Sequence, residues 1–273
     1  MADRNSPIGV FDSGVGGIGT LAALRRELPD ERFLFYGDTA NAPYGTKSRD
    51  EVMACVGRIM DHLLAQDVKA VVIACNTADS VAKEKVRETY PDLPVFGVVD
   101  PASRLAAETT KNGKVGVIAT NATVKTGAYE KAIHKYNADA TVYMEACPLL
   151  VPLVENGRFE TGDPVIEIVL HEYLDPLVEK GIDTLVLGCT HYPLLYGTIT
   201  HLYPELNVIS SSDAAAAKML GTLIQNGTCN ENTEAAESER KYFVSDDAEG
   251  VDKLARVFMG DELGGTFQQV DVE

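Results

Sequence analysis

Two cysteines stand at equivalent points of two similar stretches of this 273-residue sequence. Cys75 follows the apolar run 70–74, Cys189 follows 184–188, and polar residues typical of a helix start come after each cysteine. Because a helix N-terminus stabilises negative charge, we expect both thiols to ionise readily. Two thiols on opposite faces of a carbon atom can remove a proton from one face and return one to the other. The pair therefore predicts an enzyme that inverts an amino acid at Cα.

Each thiol needs a neighbouring group that sets its protonation, and the sequence offers one for each. His191 lies two residues after Cys189, and Asp12 ends an apolar run near the N-terminus, beside the same predicted cleft. Both residue types act as general acids and bases. Two simpler interpretations stay open: His191 could bind only backbone at a helix start, and Asp12 could be the N-cap of the helix after the glycine-rich turn.

The other three cysteines carry no comparable pattern. Cys55 is spaced helically with apolar residues, which indicates a core position, and Cys147 and Cys229 stand alone, so all three are predicted to be structural. Five is an odd count and no CxxC pair occurs, so neither a disulfide framework nor a zinc site is expected. Reduced thiols are typical of a cytoplasmic protein.

Small polar residues near the predicted strand ends could hold a charged substrate without a basic cluster. Helix N-termini and backbone N–H groups, such as those of Gly14 and Gly45, stabilise carboxylates. Hydroxyl and amide side chains add further hydrogen-bond donors; these are Ser13, Asn76, Thr77, Thr120, Thr123 and Thr190.

A glycine-rich turn supports a competing interpretation. Gly14, Gly16 and Gly19 satisfy G-x-G-x-x-G between a predicted strand and a helix, and Asp38 ends the next strand nineteen residues later, as in dinucleotide-binding proteins. This alternative is a nicotinamide-dependent oxidoreductase; it leaves both cysteine motifs unexplained and puts the acidic Asp12 close to a pyrophosphate. A third alternative, a structural or interaction protein, explains the glycines by close helix–strand packing and also leaves the cysteines without a task.

Short apolar runs alternate with helix-length segments along almost the whole chain. Several runs are continuously apolar, as in parallel strands covered by helices on both faces, which predicts a doubly wound, mainly parallel α/β fold. The predicted strands cover residues 8–11, 33–36, 70–73, 95–98, 115–118, 141–144, 184–187, 208–209 and 242–244. The predicted helices include residues 51–65, 78–90 and 165–179.

The two cysteine motifs indicate two similar domains that face one active-site cleft. We expect one domain to comprise residues 1–100 and 210–273 and to carry Asp12 and Cys75, and the other, residues 101–209, to carry Cys189 and His191. Residues 99–101 are predicted to form the crossover, and the acidic stretch 231–239 a surface excursion. Ligands of open α/β sheets bind at the carboxyl ends of the strands, where both cysteines fall.

The charge balance argues against some classes of partner. Lys and Arg total 24 against 41 Asp and Glu, a net charge of −17, whereas binding to nucleic acid or anionic membranes needs a basic surface. No apolar run reaches the roughly 18 residues of a membrane-spanning helix. The N-terminal residues lack the apolar segment of a signal peptide, so we expect a cytoplasmic protein.

Four motifs together resemble the glutamate racemases of the aspartate/glutamate racemase superfamily. They are VFDSGVGG at residues 10–17, NAPYG at 41–45, ACNTA at 74–78 and GCTHYP at 188–193. The resemblance runs from Gly9 to about Asp213. One departure is Ala102 after Pro101, where many members carry glycine, and it concerns local backbone rather than the chemistry.

The resemblance implies a cofactor-independent interconversion of L- and D-glutamate that supplies D-glutamate for peptidoglycan. It implies that Cys75 and Cys189 form the acid/base pair, with Asp12 assisting Cys75 and His191 assisting Cys189. It also implies a cytoplasmic homodimer that needs neither a metal nor pyridoxal phosphate, and an acidic cleft residue at Glu155. The implied substrate contacts are Asp12, Ser13, Tyr44, Gly45, Asn76, Thr77, Thr120, Thr123, Thr190 and His191.

Overall fold

The computed structural model describes residues 3–230, 241–259 and 264–272. Its strands are β1 Ile8–Asp12, β2 Phe33–Gly37, β3 Ala70–Ile73, β4 Val95–Gly97, β5 Lys114–Ala119, β6 Thr141–Ala146, β7 Thr184–Gly188, β8 Asn207–Ser210, β9 Lys241–Val244 and β10 Phe267–Gln269. Its α-helices are α1 Gly17–Glu27, α2 Arg49–Leu64, α3 Asn76–Thr89, α4 Val99–Thr109, α5 Asn121–Thr126, α6 Ala128–Tyr136, α7 Leu150–Glu155, α8 Pro164–Glu179, α9 Tyr196–Leu202, α10 Ser211–Asn226 and α11 Ala248–Met259. Short 3₁₀ turns span Thr39–Asn41, Tyr44–Thr46 and Tyr192–Leu195.

The strands form two parallel sheets, as predicted for a doubly wound α/β protein. The larger has the order β10-β9-β2-β1-β3-β4, and the smaller has the order β6-β5-β7-β8. Every residue of β1, β2, β3 and β7 is buried, because helices cover both faces of these strands. This burial explains why the runs are continuously apolar rather than alternating.

Site residues follow the carboxyl ends of strands in both sheets. Asp12 is the last residue of β1, Cys75 comes two residues after β3, Thr120 directly follows β5 and Cys189 directly follows β7. In a parallel sheet these ends share one edge, so residues far apart in the sequence meet there. The topology therefore brings the predicted site residues of each sheet to its carboxyl edge.

Two details of the fold go beyond the sequence analysis. Residues 99–101, predicted as the crossover between the halves, begin the helix α4, which connects β4 of the larger sheet to β5 of the smaller one. This segment is helical because Val99, Ala102 and Ala106 are buried in an apolar core shared with β5 and β7. The short strand β10 was not predicted; only Phe267 of its three residues is buried, so its apolar pattern is minimal. The predicted surface excursion at 231–239 lies outside the described residues. Within the described ranges, no helix combines the length and apolar character needed to cross a membrane.

Candidate active site

A cavity of about 450 Å³ lies at the carboxyl ends of the strands and takes wall residues from both sheets. Its size is typical of a site for a small molecule. Both cysteines of the repeated motif line it, as does most of the predicted substrate-binding set. The predicted residues in its wall are Ser13, Tyr44, Gly45, Cys75, Asn76, Thr77, Thr120, Glu155, Cys189, Thr190 and His191.

Asp12 and Thr123, both predicted to contact substrate, lie behind the wall rather than in it. Asp12 is 1% exposed, and its Oδ2 accepts the backbone N–H of Gly14 at 3.0 Å. The N-cap of α1 is Gly16, which has no side-chain capping bond, so the interpretation of Asp12 as that N-cap is wrong. Thr123 is fully buried and supports the wall through its hydroxyl.

Cys75 is the N-cap of α3, and its Sγ accepts the backbone N–H of Ala78 at 3.4 Å. Its thiol also contacts Ser13 Oγ at 3.5 Å. Burial, with a smaller contribution from the charge of Asp12, raises the pKa of Cys75 to about 12 in spite of these two hydrogen bonds. The expectation of ready ionisation is therefore wrong at Cys75, because desolvation outweighs the helix N-terminus. Burial thus favours the thiol form of this sulfur.

Cys189 lies at one end of a three-residue chain of contacts. His191 Nδ1 is 3.9 Å from Cys189 Sγ, and His191 Nε2 is 2.9 Å from Glu155 Oε1. Burial lowers the pKa of His191, but its bonds to Cys189 and Glu155 outweigh burial and raise the pKa to about 10. The imidazole is thus protonated at neutral pH and places a positive charge beside the Cys189 sulfur. His191 therefore does more than bind backbone at a helix start.

The glycine-rich turn packs against His191. A Cβ on Gly16 would lie 2.3 Å from Thr190 Oγ1 and 2.7 Å from His191 Nδ1, so only glycine fits without a shift. On another side, the ring of Phe258 from α11 meets the imidazole edge-on, with centroids 5.7 Å apart. The turn therefore allows close packing at the site.

Asp38 is the acid that would contact a nucleotide in the dinucleotide-binding interpretation. Its carboxylate already accepts hydrogen bonds from other protein groups. It accepts hydrogen bonds from Tyr44 Oη, Asn41 Nδ2 and Ser245 Oγ, at 2.5, 2.9 and 2.9 Å respectively. These bonds anchor the segment that brings Tyr44 into the cavity wall. Gly16 of the glycine-rich turn packs against His191, so neither the turn nor Asp38 is available to bind a nucleotide. The nicotinamide-dependent alternative is therefore not supported.

Three threonine hydroxyls cluster where the two sheets meet at the cavity. Thr77 Oγ1 lies 3.0 Å from Thr120 Oγ1 and 3.1 Å from Thr123 Oγ1, and Thr120 and Thr123 are 3.1 Å apart. A Cβ on Gly45 would lie 2.9 Å from Thr120 Cβ, so the wall is closely packed here. Among the described residues that line the cavity, none is Lys or Arg. Apart from the His191 imidazole, the wall offers neutral donors, as the sequence predicted.

Cys147, predicted to be purely structural, is also in the wall. It is fully buried, and burial raises the pKa of its thiol. Its position directly after β6 was the available signal, because Cys75 and Cys189 also follow strands. Cys55 is buried in an apolar core as predicted, Cys229 is half-buried, and all five cysteines are free thiols. Gly14, predicted as a backbone donor, also lines the cavity. The sequence analysis missed seven further wall residues: Ala42, Pro43, Thr46, Asn121, Pro148, Val151 and Pro152.

Comparisons with known proteins agree with this arrangement. A family profile described as Asp/Glu/Hydantoin racemase matches residues 19–219. A glutamate racemase of Persephonella marina is 44% identical over 257 residues, which cover 94% of each chain. A solved glutamate racemase isoform from Bacillus anthracis superposes with a TM-score of 0.89 at 34% identity and covers 98% of both chains.

A further solved structure carries a ligand. The glutamate racemase of Francisella tularensis, in complex with D-glutamate, has a TM-score of 0.85 at 34% identity, covering 99% of this chain and 98% of that one. The family profile and the Persephonella relative both span most of the sequence that builds the two sheets and the cavity. This chain therefore belongs to the Asp/Glu/Hydantoin racemase family.

Proposed function

We propose that this protein interconverts L- and D-glutamate by a two-base mechanism that uses Cys75 and Cys189. The observation that carries the proposal is the pair of cysteines lining one cavity, each with its own acid/base neighbour. The relatives named above are glutamate racemases, and one of the solved structures holds D-glutamate. The chemistry of the site and the family therefore support the same reaction.

In each direction of the proposed reaction one thiol acts as the base and the other as the acid. The protonated His191 stabilises negative charge on Cys189 Sγ, which takes the α-proton of L-glutamate. The carbanion at Cα then receives a proton from the Cys75 thiol on the opposite face, which leaves a Cys75 thiolate and a Cys189 thiol. In the reverse direction Cys75 removes the proton from D-glutamate and Cys189 returns one. The reaction of L-glutamate thus ends with a Cys75 thiolate and a Cys189 thiol, which is the state from which the reaction of D-glutamate begins.

Neutral donors hold the substrate in this proposal. Ser13, Asn76, Thr77, Thr120 and Thr190 surround the two thiols, and the segment of Tyr44 and Gly45 closes one side of the cavity. Glutamate carries two carboxylates, and hydroxyl, amide and backbone N–H donors bind these groups without a basic residue. Asp12 acts from behind the wall through its charge on Cys75, and Thr123 acts through the threonine cluster.

The wider setting follows from the same proposal. The protein needs neither a metal nor pyridoxal phosphate, because the two thiols supply both proton transfers, and as a cytoplasmic homodimer it supplies D-glutamate for peptidoglycan. We propose domains of residues 1–100 with 210–273 and of residues 101–209. Strand membership supports this division, since the larger sheet uses strands within 8–97 and 241–269, and the smaller uses strands within 114–210.

Chiral analysis of purified protein tests the proposal directly. Protein dialysed against a chelator is incubated with L-glutamate alone, and D-glutamate should accumulate until the two enantiomers are equal. Glutamine and alanine should react far more slowly, because they lack the side-chain carboxylate and leave its donors unpaired. Aspartate should also react far more slowly, because its side chain is one methylene group shorter and does not bring the carboxylate to the same donors. Activity that appears only when pyridoxal phosphate is added would contradict the mechanism, and equal rates with aspartate would contradict the substrate.

A further inference from the structure

The side-chain amide of Asn76 is hydrogen-bonded at both of its ends behind the cavity wall. Tyr129 Oη donates to Asn76 Oδ1 at 2.5 Å, and Asn76 Nδ2 donates to Ser211 Oγ at 3.4 Å. Asn76 therefore links the other two side chains, and we call the three residues the Asn76 cluster. Consecutive hydrogen bonds of this kind strengthen one another, because each bond polarises the next.

The Asn76 cluster is buried, and its three members come from three separate elements. Asn76 is the first residue of α3, Tyr129 lies near the start of α6, and Ser211 is the first residue of α10. Tyr129 and Ser211 are fully buried, and Asn76 is 2% exposed. Burial raises the pKa of Tyr129, so its phenol keeps its proton and remains a donor. Of the three residues, only Asn76 lines the cavity.

The two hydrogen bonds determine which end of the Asn76 amide is available to a ligand. An amide has one oxygen acceptor and two N–H donors, and the two ends are chemically opposite. Tyr129 occupies the oxygen and Ser211 occupies one N–H, which leaves one N–H of a residue that lines the cavity. A flipped amide would place its NH₂ group against the Tyr129 phenol, which would then have to accept a hydrogen bond instead of donating one.

We propose that Tyr129, together with Ser211, is a positioning residue that orients the amide of Asn76 so that its remaining N–H binds a carboxylate of the substrate. The inference rests on the proposed function, because it assigns the task of the Asn76 cluster to the binding of glutamate. It extends the site to two residues that lie behind the cavity wall and do not line it. Because a carboxylate is present in both the bound substrate and the transition state, the Asn76 cluster serves binding rather than the chemical step.

Tyr129→Phe removes one hydroxyl and keeps the ring shape. We expect the KM for L- and D-glutamate to rise by about fivefold to twentyfold, as for a weakened hydrogen bond to a charged group, while kcat stays within about threefold. Ser211→Ala should raise KM in the same way. Combining the two changes should raise KM little more than either change alone, since both residues hold the same Asn76 amide.

Tyr203→Phe is the matched control, because it removes a tyrosine hydroxyl bonded to Asp175 and His171, away from the cavity. Its KM should stay within about twofold of the unsubstituted protein. A second test uses Asn76→Ala as background: Tyr129→Phe should then leave the dissociation constant of glutamate, measured by calorimetry, unchanged. Glutamate turnover by the unsubstituted protein tests the proposed function separately. The inference is overturned if Tyr129→Phe and Ser211→Ala leave KM unchanged, or if Tyr129→Phe still weakens binding in the Asn76→Ala background.

Discussion

The packing of Gly16 against the site yields a prediction with a defined magnitude. Gly16 has φ −57° and ψ −31°, a right-handed helical conformation that alanine adopts without backbone strain. Any effect of Gly16→Ala must therefore come from the added methyl group. That methyl would lie 2.3 Å from Thr190 Oγ1 and 2.7 Å from both Cε1 and Nδ1 of His191.

The required movement follows from these distances. Restoring an ordinary contact of 3.4 Å displaces the threonine hydroxyl by about 1.1 Å and the imidazole by about 0.7 Å. Overpacking of this kind costs about 1–3 kcal/mol of the free energy of unfolding. A displacement near 1 Å in a catalytic group lowers the rate by roughly 100-fold. We therefore expect Gly16→Ala to lower the racemisation rate by about 100-fold and the free energy of unfolding by about 1–3 kcal/mol.

Racemisation followed by chiral chromatography, and thermal unfolding of the same samples, measure the two effects. Gly221→Ala is the control, because a Cβ there meets nothing within 4 Å in the helix α10. It should keep full activity and gain about 0.5–1 kcal/mol of stability from its better helix propensity. If Gly16→Ala retains the activity and stability of the unsubstituted protein, the packing of the turn against His191 is not as the structure has it.

Three further predictions concern individual proton-carrying groups. In deuterated water, Cys189→Ala should still exchange the α-proton of D-glutamate but not that of L-glutamate, and Cys75→Ala should show the reverse; racemisation by either variant would contradict the two-thiol mechanism. Glu155→Gln removes a carboxylate that raises the pKa of His191, so the alkaline limb of the kcat–pH profile should move to lower pH, and an unmoved limb would exclude this role. Burial lowers the pKa of His62, so protons bind the unfolded chain preferentially and stability falls as the pH drops below about 6.5. His62→Phe should reduce the loss of stability, measured by urea unfolding, between about pH 7.5 and pH 5.5; an equal loss would refute the assignment.

The sequence by itself determined the class of the fold and most of the cavity wall. Continuous apolar runs predict buried parallel strands, and the carboxyl ends of such strands lie at one edge of each sheet. Cys75 and Cys189 could therefore each be placed at the carboxyl edge of a sheet, and their similar motifs indicated one shared cleft. Motifs that follow a strand directly, such as those of Ser13 and Thr190, were placed correctly for the same reason.

Only the tertiary structure decided which polar groups lie in the wall and which lie behind it. Asp12 and Thr123 sit within predicted motifs yet are buried behind the surface, whereas Cys147, with no motif, is in the wall. The spacing of apolar residues predicts which face of a helix or strand is buried. It does not predict which neighbouring element covers a given side chain. The same limit applies to ionisation: the pKa of Cys75 depends on desolvation, which exists only once the surrounding elements have packed.

Contacts between distant segments could not be predicted from the sequence for the same reason. The hydrogen bonds of Asn76 with Tyr129 and Ser211 join residues from three helices, and Phe258 reaches His191 from the C-terminal helix α11. Each of these residues has an ordinary helical environment in the sequence. Their partners depend on the order of strands in each sheet and on the packing of helices over them, which brings the first residues of α3, α6 and α10 together. Strand order and helix packing are properties of the whole folded chain, so no local pattern encodes them.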